Sequence, residues 1–237
     1  MEENEMKNVD IGIIGALSDE VAELISRLEG HSVERLGSID FHLGELEGKS
    51  VVIAKCGVGK VFAAICAEAM IIGYSPRLIV NTGVGGALAK GLSVTDTVIA
   101  DKLVQHDMDT SPIGDPIGLI SGINKVWFET DGRAVEILLS AAKRLGLRAI
   151  SASIASGDKF IADRADKEKI VTNFGASVCE MEGAAIAHTA FVNGTPFVVI
   201  RAISDSADEG SSMDYMTFMP IAAKNSAALT LELVREY

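Results

Sequence analysis

The sequence has little basic charge and no apolar run long enough to span a membrane. Its 33 acidic residues outnumber its 21 basic residues and give a net charge of -12. This balance disfavours nucleic acid or an anionic membrane as the main partner, so we expect small molecules or other proteins. The opening segment MEENEMKNVD is polar and acidic, unlike a secretory signal, and we expect a cytoplasmic protein.

Cysteines are also scarce, and their spacing excludes two common uses. The three cysteines, Cys56, Cys66 and Cys179, are odd in number, widely spaced and set in apolar surroundings. Zinc sites and disulfide frameworks need paired spacings that these residues lack. We expect three buried thiols in a reducing compartment.

No Pro/Ser-rich linker divides the chain, and its 237 residues suit a single α/β domain. Short runs rich in Ile and Val alternate with helical patterns, which indicates a mostly parallel or mixed sheet covered by helices. We predict one domain over 9–237, after a flexible polar segment over 1–8. Strands are predicted at 9–14, 50–55, 78–81, 97–100, 149–154, 177–179 and 197–203, and helices at 18–28, 60–72, 133–145, 167–174, 183–192 and 220–235.

The segment 103–128 differs from the rest of the chain. It contains Pro112, Pro116 and several glycines and has no clear period. It is too long for an ordinary connection in a compact domain. We interpret it as a candidate functional or interface loop.

Polar segments follow five of the apolar runs. They are GALSDE, NTGVGG, ASGDKF, CEMEG and RAISDSAD. Ligands of open α/β sheets bind beyond the carboxyl ends of the strands, and these segments combine glycines with acidic and hydroxyl side chains. They predict one carboxylate-rich pocket.

Two of the acidic segments also have a purely structural interpretation. In GALSDE, Ser18 is a good N-cap, and Asp19 and Glu20 suit the first turn of a helix. In CEMEG, an extended backbone would place Glu180 and Glu182 on one side, yet Glu182 could simply begin the next helix.

The other segments leave similar alternatives. The glycines of NTGVGG could form a tight turn, or they could expose backbone N–H groups to a ligand. Asp205 follows a strongly apolar run, where a carboxyl group tends to have a raised pKa and can hold a proton, but Ser204 or Asp205 could instead cap a turn. GIIGA and GVGK lack the full nucleotide-binding patterns and are better interpreted as turns.

Five motifs taken together resemble a known family. IGIIGALSDEV, NTGVGGALA, SGDKFI, CEMEGAAIAH and VVIRAISDSAD occur in the order and at about the spacing of the nucleoside phosphorylase superfamily, and specifically resemble its methylthioadenosine/S-adenosylhomocysteine nucleosidases. The resemblance spans nearly the whole chain. It implies a single-domain, three-layer phosphorylase/hydrolase-like α/β fold with a central mixed sheet. It also implies a homodimer in which the partner subunit completes the pocket, and neither metal nor organic cofactor.

The resemblance implies hydrolysis of an N-glycosidic bond in adenine nucleosides. Asp205 would be the general acid that protonates purine N7, and Ser204 would orient it. Glu20 would be the base that activates water, and Arg201 would help to place that water. The products would be adenine and a 5-thioribose.

The resemblance also assigns substrate-binding residues. Glu182 would bind the ribose 2′- and 3′-hydroxyls beside the backbone of Met181, and Gly86 would lie close to the sugar. Phe160 would stack on the base, while the backbone at Phe160 and Ile161 reads its edge.

The pocket for the 5′-alkylthio group would be lined by Val58 and Tyr215, with help from residues 103–116 of the partner. Two features depart from the family pattern. Val84 stands where hydrolases of this family commonly carry a serine that helps to hold the water. The segment 111–128, which would set the preference for the 5′-substituent, also differs.

Three rival functions remain open. A phosphorylase would need cationic groups around the sugar, but Arg201 is the one arginine near a predicted strand end at the pocket, and Glu20 would repel phosphate. Another adenine-nucleoside hydrolase, acting on aminodeoxyfutalosine or 5′-deoxyadenosine, is poorly separated by sequence. A catalytically inactive nucleoside-binding sensor is disfavoured because both Glu20 and Asp205 are present.

Overall fold

The computed structural model of the protein describes residues 7–207 and 211–237. Positions 1–6 of the predicted N-terminal segment, and Asp208 of RAISDSAD, lie outside the described residues. The strands are β1 (Ile11–Gly15), β2 (Glu29–Leu36), β3 (Ile39–Leu46), β4 (Lys49–Lys55), β5 (Leu78–Ala87), β6 (Thr97–Gln105), β7 (Phe128–Glu129), β8 (Ala149–Ser156), β9 (Val178–Glu180) and β10 (Phe197–Asp205). The helices are α1 (Ser18–Ser26), α2 (Lys60–Tyr74), α3 (Gly132–Leu145), α4 (Arg164–Phe174), α5 (Gly183–Val192) and α6 (Ser211–Glu236), with a 3-10 turn at Ser111–Ile113.

The strands form one mixed sheet, which confirms the predicted fold class. β1 lies parallel to β4 and β5, and β5 lies parallel to β10. β10 also pairs with β6, and the sheet returns to β5 through β8 and β9, so these five strands close into a ring. Four further strands extend from β5 in the order β1, β4, β3 and β2, and the short β7 pairs with β6.

Helices cover both faces of this sheet, so the central strands are apolar on both sides. Ile13 and Val80 face the core that Leu24 of α1 and Leu233 of α6 complete. Their neighbour Ile14 belongs to the opposite core, which includes buried residues of α2 and α5. A strand buried on both faces needs a continuous apolar run, which explains the segment Ile11–Gly15.

Several element boundaries differ from the sequence prediction. β5 continues to Ala87 through the glycines of NTGVGG, and β6 runs to Gln105, into the segment interpreted as a loop. The hairpin of β2 and β3 was not predicted, because β2, EGHSVERL, is mostly exposed and lacks apolar alternation. α6 begins at Ser211 rather than 220 and contains Pro220. Within the described residues, no helix is long and apolar enough to cross a membrane.

The prediction of three buried thiols is confirmed. All three cysteines are free and buried. Burial raises the pKa of Cys66 to about 12, so this thiol stays protonated near neutral pH.

Candidate active site

A cavity of about 360 Å³ opens at the carboxyl ends of the central strands. All the predicted site residues except Arg201 line it. These residues are Glu20, Val58, Gly86, Phe160, Ile161, Met181, Glu182, Ser204, Asp205 and Tyr215. Residues that the sequence analysis did not assign also contribute to the wall, namely Ala16, Leu17, Gly85, Lys159, Cys179 and Glu180.

Glu20 is fixed by backbone donors from two segments. Its Oε2 accepts hydrogen bonds from the N–H groups of Ala16 (2.7 Å) and Leu17 (2.9 Å), and its Oε1 accepts from that of Val84 (3.2 Å). Leu17 is the N-cap residue of α1, so the alternative in which Ser18 caps this helix is wrong. Burial raises the pKa of Glu20, against the opposing charge of Arg201. A buried carboxylate with a raised pKa is suited to accept a proton.

Two glycines of NTGVGG make room for the carboxyl groups. A Cβ atom on Gly83 would lie 2.5 Å from Glu20 Oε1, and one on Gly86 would lie 2.8 Å from Asp205 Oδ1. Both glycines belong to strand β5, so the tight-turn alternative is wrong. Their absent side chains let the two carboxyl groups approach the strand from different elements.

A bulge at the end of β10 sets the direction of Asp205. The register between β10 and β5 shifts between Ile203 and Asp205, where Asp205 pairs with Gly86. Asp205 Oδ2 accepts a hydrogen bond from Ser204 Oγ (2.9 Å), and Oδ1 accepts one from the N–H of Ala207 (2.9 Å). The carboxyl group therefore both lines the cavity and holds the turn that follows.

Glu182 faces the cavity from the start of α5. Its Oε1 accepts a hydrogen bond from the N–H of Gly59 (2.8 Å), in the GVGK turn where Gly57 and Gly59 both have positive φ. Burial and the nearby carboxylate of Glu180 raise the pKa of Glu182 to about 7. The charge of Glu182 therefore changes close to neutral pH.

Glu180, rather than Glu182, caps α5 with its side chain. Its Oε2 accepts from the N–H groups of Glu182 (3.0 Å) and Gly183 (2.7 Å). The same carboxylate receives close hydrogen bonds from Ser156 and Arg201. Although burial opposes its charge, Arg201 holds the pKa of Glu180 below its usual range. Of the two glutamates, Glu180 is therefore the more firmly ionised.

Arg201 lies behind the cavity wall and not on its surface. Arg201 is fully buried, and its Nη2 donates to Asn81 Oδ1 (2.5 Å) as well as to Glu180. The distance from Nη2 to Glu182 Oε2 is 4.0 Å. Arg201 is thus a charge partner of the cavity carboxylates, and the structure does not bring it to the cavity with the other predicted residues.

The mouth of the cavity has an apolar wall. The rings of Phe160 and Tyr215 meet edge to face with their centroids 5.6 Å apart. Phe160 is 42% exposed and Val58 is 47% exposed, whereas Ile161 is buried. An exposed aromatic ring beside an apolar side chain can bind a flat, partly apolar ligand.

The charges that face the cavity are mostly negative. Four carboxylates line it, and Lys159, the one basic residue among the described lining residues, pairs with Asp166. No group of three or more His, Cys, Asp or Glu side chains could hold a metal ion within 7–207 and 211–237. Carboxyl groups in different environments can divide the roles of acid and base.

This chain is similar to known proteins over nearly its whole length. The family model of the phosphorylase superfamily matches residues 10–235. The 5′-methylthioadenosine/S-adenosylhomocysteine nucleosidase of Shewanella halifaxensis is 37% identical over 228 residues, which cover 95% of this chain and 99% of that protein.

Solved structures give the same result. The Neisseria meningitidis nucleosidase of that name, in complex with methylthio-immucillin-A, has a TM-score of 0.94 at 35% identity, covering 96% of this chain and 99% of its own. A futalosine hydrolase of Helicobacter pylori has a TM-score of 0.91 at 32% identity, covering 98% and 99%. The chain belongs to the phosphorylase superfamily and, within it, to the 5′-methylthioadenosine/S-adenosylhomocysteine nucleosidases.

Proposed function

We propose that the protein hydrolyses the N-glycosidic bond of 5′-methylthioadenosine and S-adenosylhomocysteine and releases adenine. The observation that carries this proposal is the placement of Glu20 and Asp205 in one cavity, with each carboxyl group held by backbone N–H donors. The names of the relatives supply the substrate class.

Asp205 is the general acid. In its protonated form it donates to purine N7, while its other oxygen accepts a hydrogen bond from the 6-amino group. Adenine leaves with that proton as the bond to the sugar breaks, through a ribosyl cation-like state. Ser204, which donates to Asp205 Oδ2, orients the carboxyl group.

Glu20 is the base. It takes a proton from the water that attacks the anomeric carbon, and its raised pKa suits this transfer. Val84 contributes its backbone N–H to Glu20, and its side chain lines the cavity. The water is therefore held without a hydroxyl group at position 84. Arg201 does not line the cavity, so it acts on this step only through its positive charge, which favours the ionised form of Glu20.

The remaining lining residues bind the substrate. Glu182 accepts hydrogen bonds from the two ribose hydroxyls, with Met181 and Gly86 beside the sugar. Phe160 and Ile161 hold the base. Val58 and Tyr215 contact the 5′-substituent.

Hydrolysis is favoured over phosphorolysis by the charge of the cavity. A phosphate ion would meet the glutamates Glu20, Glu180 and Glu182, while Arg201 is engaged behind the wall and Lys159 is paired with Asp166. Bidentate arginine contacts, the usual means of holding phosphate, are not offered by the described lining residues.

We further propose that the protein is a homodimer whose partner subunit completes the 5′-pocket. An apolar groove between α2 and α5 is lined by Val61, Ile65, Ile72 and Val192, each more than half exposed. Such a patch on a surface marks a protein interface. The groove also contains Lys60 and Asp158, and the N–H of Lys60 donates a hydrogen bond to Asp158 Oδ1. Both residues lie close in sequence to Val58 and Lys159, which line the cavity.

The reaction is tested by incubating the protein with 5′-methylthioadenosine in phosphate-free buffer and measuring adenine. Wild type should release adenine, whereas Asp205→Asn and Glu20→Gln should lower kcat about 100-fold or more, in keeping with the loss of one proton transfer. Glu23→Gln is the matched control, because Glu23 lies on the same helix and pairs with Arg27. Adenine release that depends on added phosphate would contradict the hydrolase assignment.

A second candidate substrate follows from the similarity to futalosine hydrolase. Comparing kcat/KM for 5′-methylthioadenosine, S-adenosylhomocysteine, 5′-deoxyadenosine and aminodeoxyfutalosine separates the candidates. We expect the two thio-substituted nucleosides to have the highest values, because Val58 and Tyr215 form an apolar wall.

A further inference from the structure

A lysine on helix α4 reaches the turn that follows Asp205. Lys167 Nζ donates a hydrogen bond to the carbonyl oxygen of Ser206 over 2.5 Å. Lys167 and Ser206 are both half-buried, and Lys167 also lines a second depression, separate from the cavity, with Leu88 and Arg164. The sequence pattern of the predicted helix 167–174 gives this lysine no role.

The turn that Lys167 contacts determines where the Asp205 carboxyl group points. Ser206 lies between Asp205 and Ala207, and Ala207 has a φ of 52°, a left-handed conformation that is uncommon for a residue with a Cβ atom. This conformation lets the N–H of Ala207 donate to Asp205 Oδ1. Ala207 is fully buried, so rotation of the turn would displace both the N–H and the carboxyl group.

We propose that Lys167 is a positioning residue for Asp205, which it orients by holding the Ser206 carbonyl and hence the turn over residues 205–207. This inference rests on the proposed function, in which Asp205 protonates the purine. Proton transfer to a leaving group needs the acid within hydrogen-bonding distance, and a displacement of about 1 Å can cost roughly 100-fold in rate. Lys167 does not line the cavity and so does not contact the substrate.

The test compares two leaving groups in the Lys167→Met variant. Adenine must be protonated as the glycosidic bond breaks, whereas 4-nitrophenol leaves from a 5-methylthioribosyl glycoside as the stable nitrophenolate and needs no acid. Water attacks the anomeric carbon in both reactions and gives a proton to Glu20. Lys167→Met should lower kcat on 5′-methylthioadenosine about 10- to 100-fold and leave the nitrophenyl glycoside within about threefold of wild type. Asp205→Asn should show the same selectivity to a larger extent.

Two variants control for a merely structural effect. Lys167→Arg keeps a donor at this position and should recover most of the rate, and Lys169→Met, an exposed position on the same helix, should match wild type. An equal loss on both leaving groups, or a Lys167→Met variant as fast as wild type, would overturn the positioning role while the hydrolase assignment stands. A wild-type protein that releases no adenine would overturn both.

Discussion

Arg201 and Glu180 form an ion pair that is almost completely removed from water, with each side chain 2% exposed. The pair joins the middle of β10 to the end of β9, with Glu180 in the cavity wall and Arg201 behind it. Glu180 uses its remaining acceptor capacity to hold the backbone before α5, where Glu182 begins the helix. The position of Glu182 in the cavity therefore depends on the ion pair between Glu180 and Arg201, although Arg201 itself does not line the cavity.

Removing Arg201 should destabilise the fold. Arg201→Met leaves the Glu180 carboxylate buried without its cation, which typically costs about 3–5 kcal/mol. Urea unfolding followed by circular dichroism measures this difference. Arg27→Gln, which removes an exposed i,i+4 partner of Glu23, should change the free energy of unfolding by less than about 1 kcal/mol. A similar small change for Arg201→Met would show that the buried pair contributes no such stability.

A methyl group at Gly83 should impair catalysis. The added Cβ atom would lie 2.5 Å from Glu20 Oε1, so Glu20 must move away from the Val84 N–H. We expect Gly83→Ala to lower kcat about 100-fold, as expected for a displaced catalytic group.

Gly122→Ala is the matched control, because nothing lies within 4 Å of its added Cβ atom. It should keep the wild-type kcat in the same adenine-release assay. If Gly83→Ala were equally active, the close approach of Glu20 to β5 would not matter for catalysis.

The sequence predicted the central strands because apolar runs mark buried strands, but it placed the ends of β5 and β6 too early, since both strands continue past their apolar runs through glycines and polar residues. The resemblance leads us to expect Arg201 beside the attacking water, but Arg201 does not line the cavity. A period of two puts Arg201 and Asp205 on one face of β10, but the bulge between Ile203 and Asp205 breaks that alternation. The sequence did not predict that Glu180 caps α5. Its partners Ser156 and Arg201 are distant in sequence and contact Glu180 only in the folded chain.

Substrate affinity should rise with pH around neutrality. Glu182 has a pKa raised to about 7, so it is protonated below that value and loses an acceptor needed by the ribose hydroxyls. Titration calorimetry of 5′-methylthioadenosine on the slow Asp205→Asn variant should give a Kd that falls as the pH increases from 6 to 8, by up to about tenfold per pH unit below the pKa.

The double variant Asp205→Asn, Glu182→Gln identifies the titrating group. Glutamine does not titrate, so its Kd should be higher at pH 8 and nearly constant over the same range. A pH dependence that persists in the double variant would assign the effect to another cavity carboxylate, such as Glu20, whose pKa burial also raises.

The apolar groove between α2 and α5 should determine both assembly and activity. Ile65 is 53% exposed in this groove, and a glutamate there would place a charge in the centre of the proposed subunit interface. Ile65→Glu should therefore convert the dimer to a monomer in light scattering. It should also lower kcat/KM for 5′-methylthioadenosine, because the partner no longer closes the 5′-pocket.

Val33→Glu is the control, since Val33 is similarly exposed, at 51%, but lies on β2 and outside the groove. A dimeric or fully active Ile65→Glu variant would mean that the pocket is complete within one subunit or that another face forms the interface.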